Sequence, residues 1–503
     1  MDNAHLPVAV IGAGPVGLAA AAQLLERGIT PLVLEAGDSA GASVREWAHV
    51  RFFSPWRYAV DAAARALLEA HGWTAPDPEG YPTGQDLLDR YLAPLAALPE
   101  IAPHLRTGSR VLSVTRRGVD KMKTGGREDA PFVLRVRGSD GREEAILARA
   151  VIDASGTWTM PNPLGADGVP AIGEGAVAQR IHYGIPDVLG EDRARYAGRR
   201  VLVVGSGHSA FNALQDLAEL ARQEPGTAIT WAIRRPALGQ VFGGGGDDEL
   251  AERGALGRRI RDLVEAGTLR VAMGFKIAAL RDTPDGVVVT GEGGDLGPVD
   301  EVVATTGFRP DLAMLGELRL GLDPASESPV ALAPLIDPNL HSCGTVAPHG
   351  ADELAHPERD FYIVGMKSYG RAPTFLLLTG YEQVRSVAAA LAGDWAAARD
   401  VRLVLPETGV CSSGLDGGSC CAAPPAQAPI ALTLPARVPV RELALTGAGP
   451  RVREAALPIG IGVGVGVDAQ AACCAPSEQE TCCQPSEKAA CCGDAAEGTC
   501  GCR

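Results

Sequence analysis

The chain has 503 residues, 46% of them apolar, with a formal net charge of −15 and a sequence pI near 5.2. This is material for two compact domains plus extra chain, and an acidic balance with no basic stripe argues against a nucleic-acid partner. No apolar run reaches membrane-spanning length, and the first strand follows MDNAHLP at once, so the expectation is a cytoplasmic protein with no signal peptide and no membrane partner.

The first predicted unit is a buried strand, VAVI, a glycine turn, and the helix VGLAAAAQLLERG. Gly12, Gly14 and Gly17 form the G-x-G-x-x-G spacing, with Pro15 and Val16 between the last two. Such glycines serve a tight turn, a close backbone approach to a pyrophosphate, and close packing of helix on strand. The pyrophosphate rests on the helix N-terminus, where free N–H groups and the helix dipole favour negative charge. The next strand, TPLVLEAG, ends in Glu35, whose carboxylate can accept a ribose hydroxyl and would repel a 2′-phosphate. That combination suits FAD.

An aromatic-rich loop follows, GASVREWAHVRFFSPWRYAVD. Trp47, Phe52, Phe53, Trp56 and Tyr58 could wall a flavin ring, or each could belong to the core. A helical stretch around YPTGQDLLDRYLAPLAAL comes next. Two alternating runs, SRVLSVTRRG and FVLRVRGSDG, then predict a hairpin. ARAVIDASGTW reads as a strand that brings Gly156 back to the FAD.

A second fingerprint comes after VLVV: Gly205, Ser206, Gly207, His208, Ser209 and Ala210, with alanine for the third glycine, opening the helix GSGHSAFNALQDLAELA. The following strand, AITWAIRRP, ends in Arg234 and Arg235 where the first unit has its acid. Paired guanidiniums there form a clamp for the 2′-phosphate of NADPH or, more blandly, a solvated basic turn. Two such sites in one chain imply hydride transfer between NADPH and FAD.

The order of these pieces, with GAGPVG, Arg45 and Trp47 in a degraded glycine-glycine-x-tryptophan segment, ASGT, GSGHSA and DEVVATTGFRPD, resembles the flavin-containing monooxygenases and their N-hydroxylating and Baeyer–Villiger relatives over residues 6 to 395. The resemblance implies Arg45, Trp47, Gly156 and Gly365 as FAD contacts and Thr306 as an NADPH contact, and makes Arg45 and Ser54 candidates for touching the flavin ring or substrate. Glu382, Gln383 and Arg385 look like the family's glutamate-x-glutamine-x-arginine helix. The family's phenylalanine-x-glycine-x-x-x-histidine segment is reduced here to His182, with Ala176 and Ala178 for the first two residues. Family chemistry uses O₂ and a small-molecule substrate, one oxygen passing from a C4a-hydroperoxyflavin to a soft nucleophile, with no named acid or base.

Cysteine distribution separates this reading from a disulfide reductase, which needs a cysteine pair beside its flavin. No cysteine precedes Cys343, and Met366 stands after Gly365 where those reductases carry a flavin-binding aspartate. All but one of the 12 cysteines lie beyond Pro406, in an Ala-, Pro-, Gly- and Val-rich stretch read as a linker or arm. Cys473 and Cys474, Cys482 and Cys483, Cys491 and Cys492, then Cys500 and Cys502, repeat with a nine-residue period. Vicinal thiols in this setting point to a soft metal or metalloid such as As(III), or to a thiol buffer unconnected with catalysis. Joined to a cysteine-free core, the tail resembles the ArsO-type flavoproteins of arsenic-resistance operons. His341, Cys343, His349 and His356 form a further polar cluster, read first as a loop.

The expected fold class is α/β, with two Rossmann-like dinucleotide-binding domains, for FAD and NADPH, plus a low-complexity Cys-rich C-terminal tail. Residues 1–165 begin the FAD domain, 166–320 form the NADPH domain, 321–397 return to complete the FAD domain, and 398–503 are linker and tail. The expected function is an NADPH-dependent FAD monooxygenase acting on a soft nucleophile, with an arsenic or thiol compound held by the tail as the candidate substrate. The alternatives are an oxidoreductase passing electrons to tail dithiols or a tail-bound ion, and a non-enzymatic metal sensor or buffer.

Overall fold

The computed structural model describes residues 3–239, 241–242, 251–339, 349–372 and 375–402, all in the first of two units, Met1–Ala422. The second unit, Ala423–Arg503, and with it the cysteine repeats, lies outside the described residues.

Every residue of β1 (Val8–Ile11) is buried. The helix Pro15–Glu26 buries Val16 through Leu24 without a break. Its run of alanines makes that possible, because a helix with small side chains can be covered both by the sheet and by the helix Leu377–Leu391. β2 (Pro31–Leu34) and β3 (Leu105–Arg106) extend the sheet on one side. The chain then forms an antiparallel sheet of β4 (Arg110–Arg116), β5 (Phe132–Arg137) and β6 (Glu143–Ala148). The predicted hairpin is β4 with β5, in register from Arg110 opposite Arg137 to Arg116 opposite Phe132. β6 was not expected, because its exposed first half, Glu143 to Ala145, blunts the alternation. Val114, Phe132, Leu134 and Val136 of this sheet pack against Ala9, Ile11 and Val151.

β7 (Ala150–Asp153) pairs parallel to β1, and the chain then leaves for a second sheet. Its strands are β8 (Ile181–Tyr183), β9 (Arg200–Val204), β10 (Ala228–Ala232), β11 (Leu269–Ala272) and, after an antiparallel excursion of β12 (Ile277–Thr283), β13 (Gly286–Gly291) and β14 (Gly294–Val299), β15 (Glu301–Ala304). β16 (Phe361–Ile363) returns to the first sheet beside β7. The two parallel sheets run β16-β7-β1-β2-β3 and β11-β10-β9-β15-β8. In each, the strand order reverses beside the strand that leads into a glycine turn, which opens a crevice at the carboxyl ends of the strands.

A buried charge cluster ties the first sheet to its antiparallel cover. Glu358, just before β16, accepts hydrogen bonds from Arg116 Nε (2.8 Å) and Arg127 Nη2 (2.6 Å), and from the Arg319 backbone N–H (3.0 Å). The three side chains are only 2–3% exposed, and the Arg116 guanidinium lies 3.6 Å from the centroid of the Phe132 ring. Burial alone would raise the Glu358 carboxyl, but the bonds from Arg127, the Arg319 N–H and Arg116 outweigh it and hold the group below its ordinary range. Glu358→Ala leaves two buried guanidiniums without their carboxylate and should cost about 3–5 kcal/mol. Arg137→Ala, at the exposed pair with Glu143, should cost less than about 1 kcal/mol. Chemical denaturation of the two variants checks the contrast.

Candidate functional site

The first crevice is built from backbone. Gly12 has φ +97°, its N–H donates to Leu34 O, and a Cβ there would meet Ala154 O at 2.9 Å. A Cβ on Gly17 would fall 1.9 Å from Gly12 O, so helix and turn touch only because both residues are glycine. Gly14 caps the helix at its start with no side-chain hydrogen bond, Pro15 is the first helical residue, and the space a Gly14 Cβ would take is open. The helix thus presents its free N–H groups to the crevice. Glu35, one residue past β2, is aimed by two backbone donors: Ala13 N–H to Oε2 (2.7 Å) and Gly37 N–H to Oε1 (2.8 Å). Gly156, with φ +71°, faces open space, and Gly365, with φ +70°, lies against Val16. The Gly365 N–H donates to Gln383 Oε1 (2.7 Å), so the helix Leu377–Leu391 anchors that turn. Uncapped helix start, aimed carboxylate and unfilled glycine cradle together fit an FAD.

The second crevice repeats the pattern with a different finish. Gly205 has φ +131°, its N–H donates to Ala232 O, and a Cβ there would meet Thr305 O at 2.4 Å. Gly207 precedes the helix His208–Gln223 with no side-chain cap and open space beside it. Ser206 stands between the two glycines, Ser209 is the second residue of the helix, and Ala210 is fully buried in the place of the third glycine. Strand register corrects one expectation. Gly12 N bonds Leu34 O and Gly205 N bonds Ala232 O, so the counterpart of Glu35 is Ile233, not Arg234. Ile233 is 1% exposed and belongs to the core. Arg234 follows it and is exposed, with Arg235 half-buried beyond. This crevice therefore has no carboxylate at the ribose position and has a cation one residue further out. Thr306 Oγ1 donates to Asn162 O (2.6 Å), so this expected NADPH contact is tied into the chain crossing between the sheets.

The aromatic loop meets the second helix. Phe53 lies 5.0 Å from the His208 ring, centroid to centroid, which brings a loop of the first part of the chain to the start of the second fingerprint helix. Ser54 is buried beside it. Trp47 packs on Phe52 at 5.6 Å, Arg45 is exposed and donates to Ser39 Oγ (3.1 Å), Trp56 is part of the first core, and Tyr58 sits under the Arg57 guanidinium. Trp158 stacks on Phe308 at 4.7 Å and donates from Nε1 to Glu46 Oε2 (2.6 Å). The contacts of Phe53 with His208 and of Trp158 with Phe308 and Glu46 were invisible in sequence, since those partners are far apart along the chain. His182 is half-buried in β8, and burial lowers its imidazole below the ordinary range.

Among the remaining expected positions, His349 is buried and meets Gln383 Nε2 at 3.0 Å. His356 is buried against Phe361; its Nδ1 accepts from Gly321 N–H (3.3 Å) and its Nε2 has no partner among the described residues. His341, Cys343 and the tail cysteines Cys473, Cys474, Cys482, Cys483, Cys491, Cys492, Cys500 and Cys502 lie outside the described residues. Among the described residues no three His, Cys, Asp or Glu side chains are grouped to hold a metal, and no helix is long and apolar enough to cross a membrane. Sequence reasoning missed Lys367, a buried ammonium paired with Asp153 at the end of β7.

Residues 9–331, more than half of the chain, match the family described as pyridine nucleotide-disulphide oxidoreductase. The chain belongs to that family. It is a flavoprotein oxidoreductase that uses FAD and NADPH. It is 29% identical over 325 residues to a ferredoxin–NADP reductase of Salinispora arenicola, covering 63% of this chain and 79% of that one. It is 31% identical over 219 residues to indole-3-pyruvate monooxygenase YUCCA1 of Oryza sativa, covering 41% of this chain and 44% of the relative, so it spans less than half of that protein. The solved bacillithiol disulfide reductase of Bacillus cereus shares the fold, with a TM-score of 0.56 at 20% identity over 77% of this chain and 99% of that one.

Arg234→Ala should raise KM for NADPH about 10- to 100-fold and leave KM for NADH within about twofold, since a phosphate–guanidinium bond is worth roughly 1.5–3 kcal/mol; steady-state kinetics with both coenzymes checks this. Burial pushes His356 down to about 4. A histidine lowered in the folded state stabilises fully above its unfolded value, near 6.5, and loses that contribution as pH falls through the folded value. Stability should drop by on the order of 3 kcal/mol between about pH 6.5 and 4 on this account. His356→Phe should flatten that part of the profile in urea titrations at several pH values.

Proposed function

We propose that this chain is an NADPH-dependent FAD monooxygenase that places one atom of O₂ on a soft nucleophile, an arsenic or thiol compound gathered by the cysteine-paired tail. The observation that carries the reading is the absence of cysteine from the matched span 9–331 in a family whose name speaks of a disulphide. Without a dithiol in that span, hydride electrons have O₂ as the simplest outlet. Supporting it are the monooxygenase relative and the pairing of Glu35 at one crevice with Arg234 at the other.

Each residue's part comes from its place. The uncapped start of the helix Pro15–Glu26 and the aimed Glu35 carboxylate hold the FAD pyrophosphate and ribose. The start of the helix His208–Gln223 holds the NADPH pyrophosphate, and Arg234, with Arg235 beyond, takes the 2′-phosphate. Phe53 against His208, beside buried Ser54, excludes water where the two cofactors meet. FAD, when bound, supplies the redox chemistry. In net terms, NADPH, a proton, O₂ and substrate give NADP⁺, water and the oxygenated substrate.

A second reading is favoured by the reductase relatives: electrons pass from the flavin to thiols or a thiol-bound ion of the tail. A tail as a separate arm belongs to both readings; it begins later than residue 398, since Ala398 is buried in the first core and the Arg402 N–H donates to Glu382 Oε1. The full-length protein given NADPH, arsenite and ¹⁸O₂ should incorporate one ¹⁸O per NADPH oxidised into the arsenic product. Turnover under strict anaerobiosis with a thiol or metal acceptor, abolished by replacing the eight repeat cysteines with serine, would instead establish the second reading and sink the first.

A further inference from the structure

Asp153 ends β7, opposite Ile11 of β1 and Ile363 of β16, in the row of residues that borders the first crevice. It is 0% exposed. Its Oδ1 accepts from Ser155 N–H (3.1 Å) and Ser155 Oγ (2.6 Å), and its Oδ2 accepts from Lys367 Nζ (2.7 Å). Lys367, in the turn Gly365–Tyr369, is 1% exposed and also donates to Ser155 Oγ (3.0 Å). Two of the three ammonium protons are thereby placed, and the third has no acceptor among the described residues.

Packing does not require this pair. Its neighbours in the row, Ile11, Leu34 and Ile363, are apolar, and a buried ion pair is generally no more stable than apolar residues of the same volume. Charge gives it a reason. The crevice border must receive a doubly negative pyrophosphate, yet Glu35 already places one carboxylate there, and the first turn of the helix Pro15–Glu26 carries no basic residue. The helix start offers only about half a positive charge. An unpaired Asp153 would add a second carboxylate beneath the dianion.

We propose that Lys367 is a positioning residue for FAD that acts through charge: buried beneath the crevice, its ammonium cancels Asp153 there, so the net charge of the pair sets FAD affinity and reduction potential. The two-electron-reduced flavin carries an added negative charge, so a net positive pair favours it and a net negative pair opposes it. The proposal rests on FAD as cofactor and holds whichever acceptor the flavin serves. Failure of the oxygen-transfer reading leaves it standing, and its own failure leaves that reading intact.

Three full-length variants decide it: Asp153→Asn makes the pair net positive, Lys367→Met makes it net negative, and the double variant is neutral. The readouts are the FAD dissociation constant by titration of the apoprotein, the midpoint potential of the bound flavin, and thermal unfolding of the apoprotein. Lys367→Met should weaken FAD binding about tenfold and lower the potential, on the scale expected for one charge at an effective dielectric near 20. Asp153→Asn should tighten binding and raise the potential, and the double variant should fall between them. A tenfold change in the ratio of oxidised to reduced binding reads as about 30 mV. If both single variants weaken FAD and move the potential in one direction, or leave it unmoved, the pair is structural and the proposal fails. Should Lys367→Met not fold, Asp153→Asn and the double variant decide alone: a higher potential in Asp153→Asn than in the double variant supports the assignment, and an equal or lower one overturns it.

Discussion

The chain depends on one steric constraint met twice: a strand must turn so tightly that the first glycine of each fingerprint lies against the segment leaving a neighbouring strand. At Gly12 the obstacle is Ala154 O, and at Gly205 it is Thr305 O. These two carbonyls belong to the two crossings between the sheets, so each cofactor crevice is formed against the very chain that joins it to the other. A side chain at either glycine would push on a cofactor turn and a crossing at once. Both helices then begin on a residue with no capping side chain, which leaves N–H groups for a phosphate instead of for the protein itself.

Alike in backbone, the crevices differ at the end of the second strand of each unit. Glu35 is held by two backbone N–H groups, whereas its counterpart Ile233 is turned into the core and the cation stands one place later. The difference between the two nucleotide sites thus rests on a single residue step within matching registers.

The glycine turns, the strands beside them and the first two strands of the antiparallel cover were legible in the sequence, because their signals are local: spacing, apolar runs and strict alternation. The position of Arg234 relative to the acid was misjudged because counting from a predicted strand end is less exact than hydrogen-bond register. β6 and the β12–β14 sheet escaped notice because glycine and charged residues interrupt their alternation. Lys367 with Asp153, Glu358 with Arg116 and Arg127, and Trp158 with Phe308 were unreadable in principle, since each joins residues well over a hundred positions apart whose types separately look like surface charge or ordinary core. The tail's repeats, plain in the sequence, lie outside the described residues.

The two crossings between the sheets are themselves bonded to each other. Asn162 N–H donates to Gly307 O (2.9 Å), Asn162 Nδ2 to Thr306 O (3.1 Å), and Arg309 N–H to Met160 O (2.9 Å), while Trp158 stacks on Phe308. The covalent routes out of β7 and out of β15 therefore run side by side as a short antiparallel ribbon. A ribbon bends easily out of its plane and resists shear within it. A rearrangement of one nucleotide site against the other would therefore have to bend this ribbon, because both chains that join the sheets pass through it.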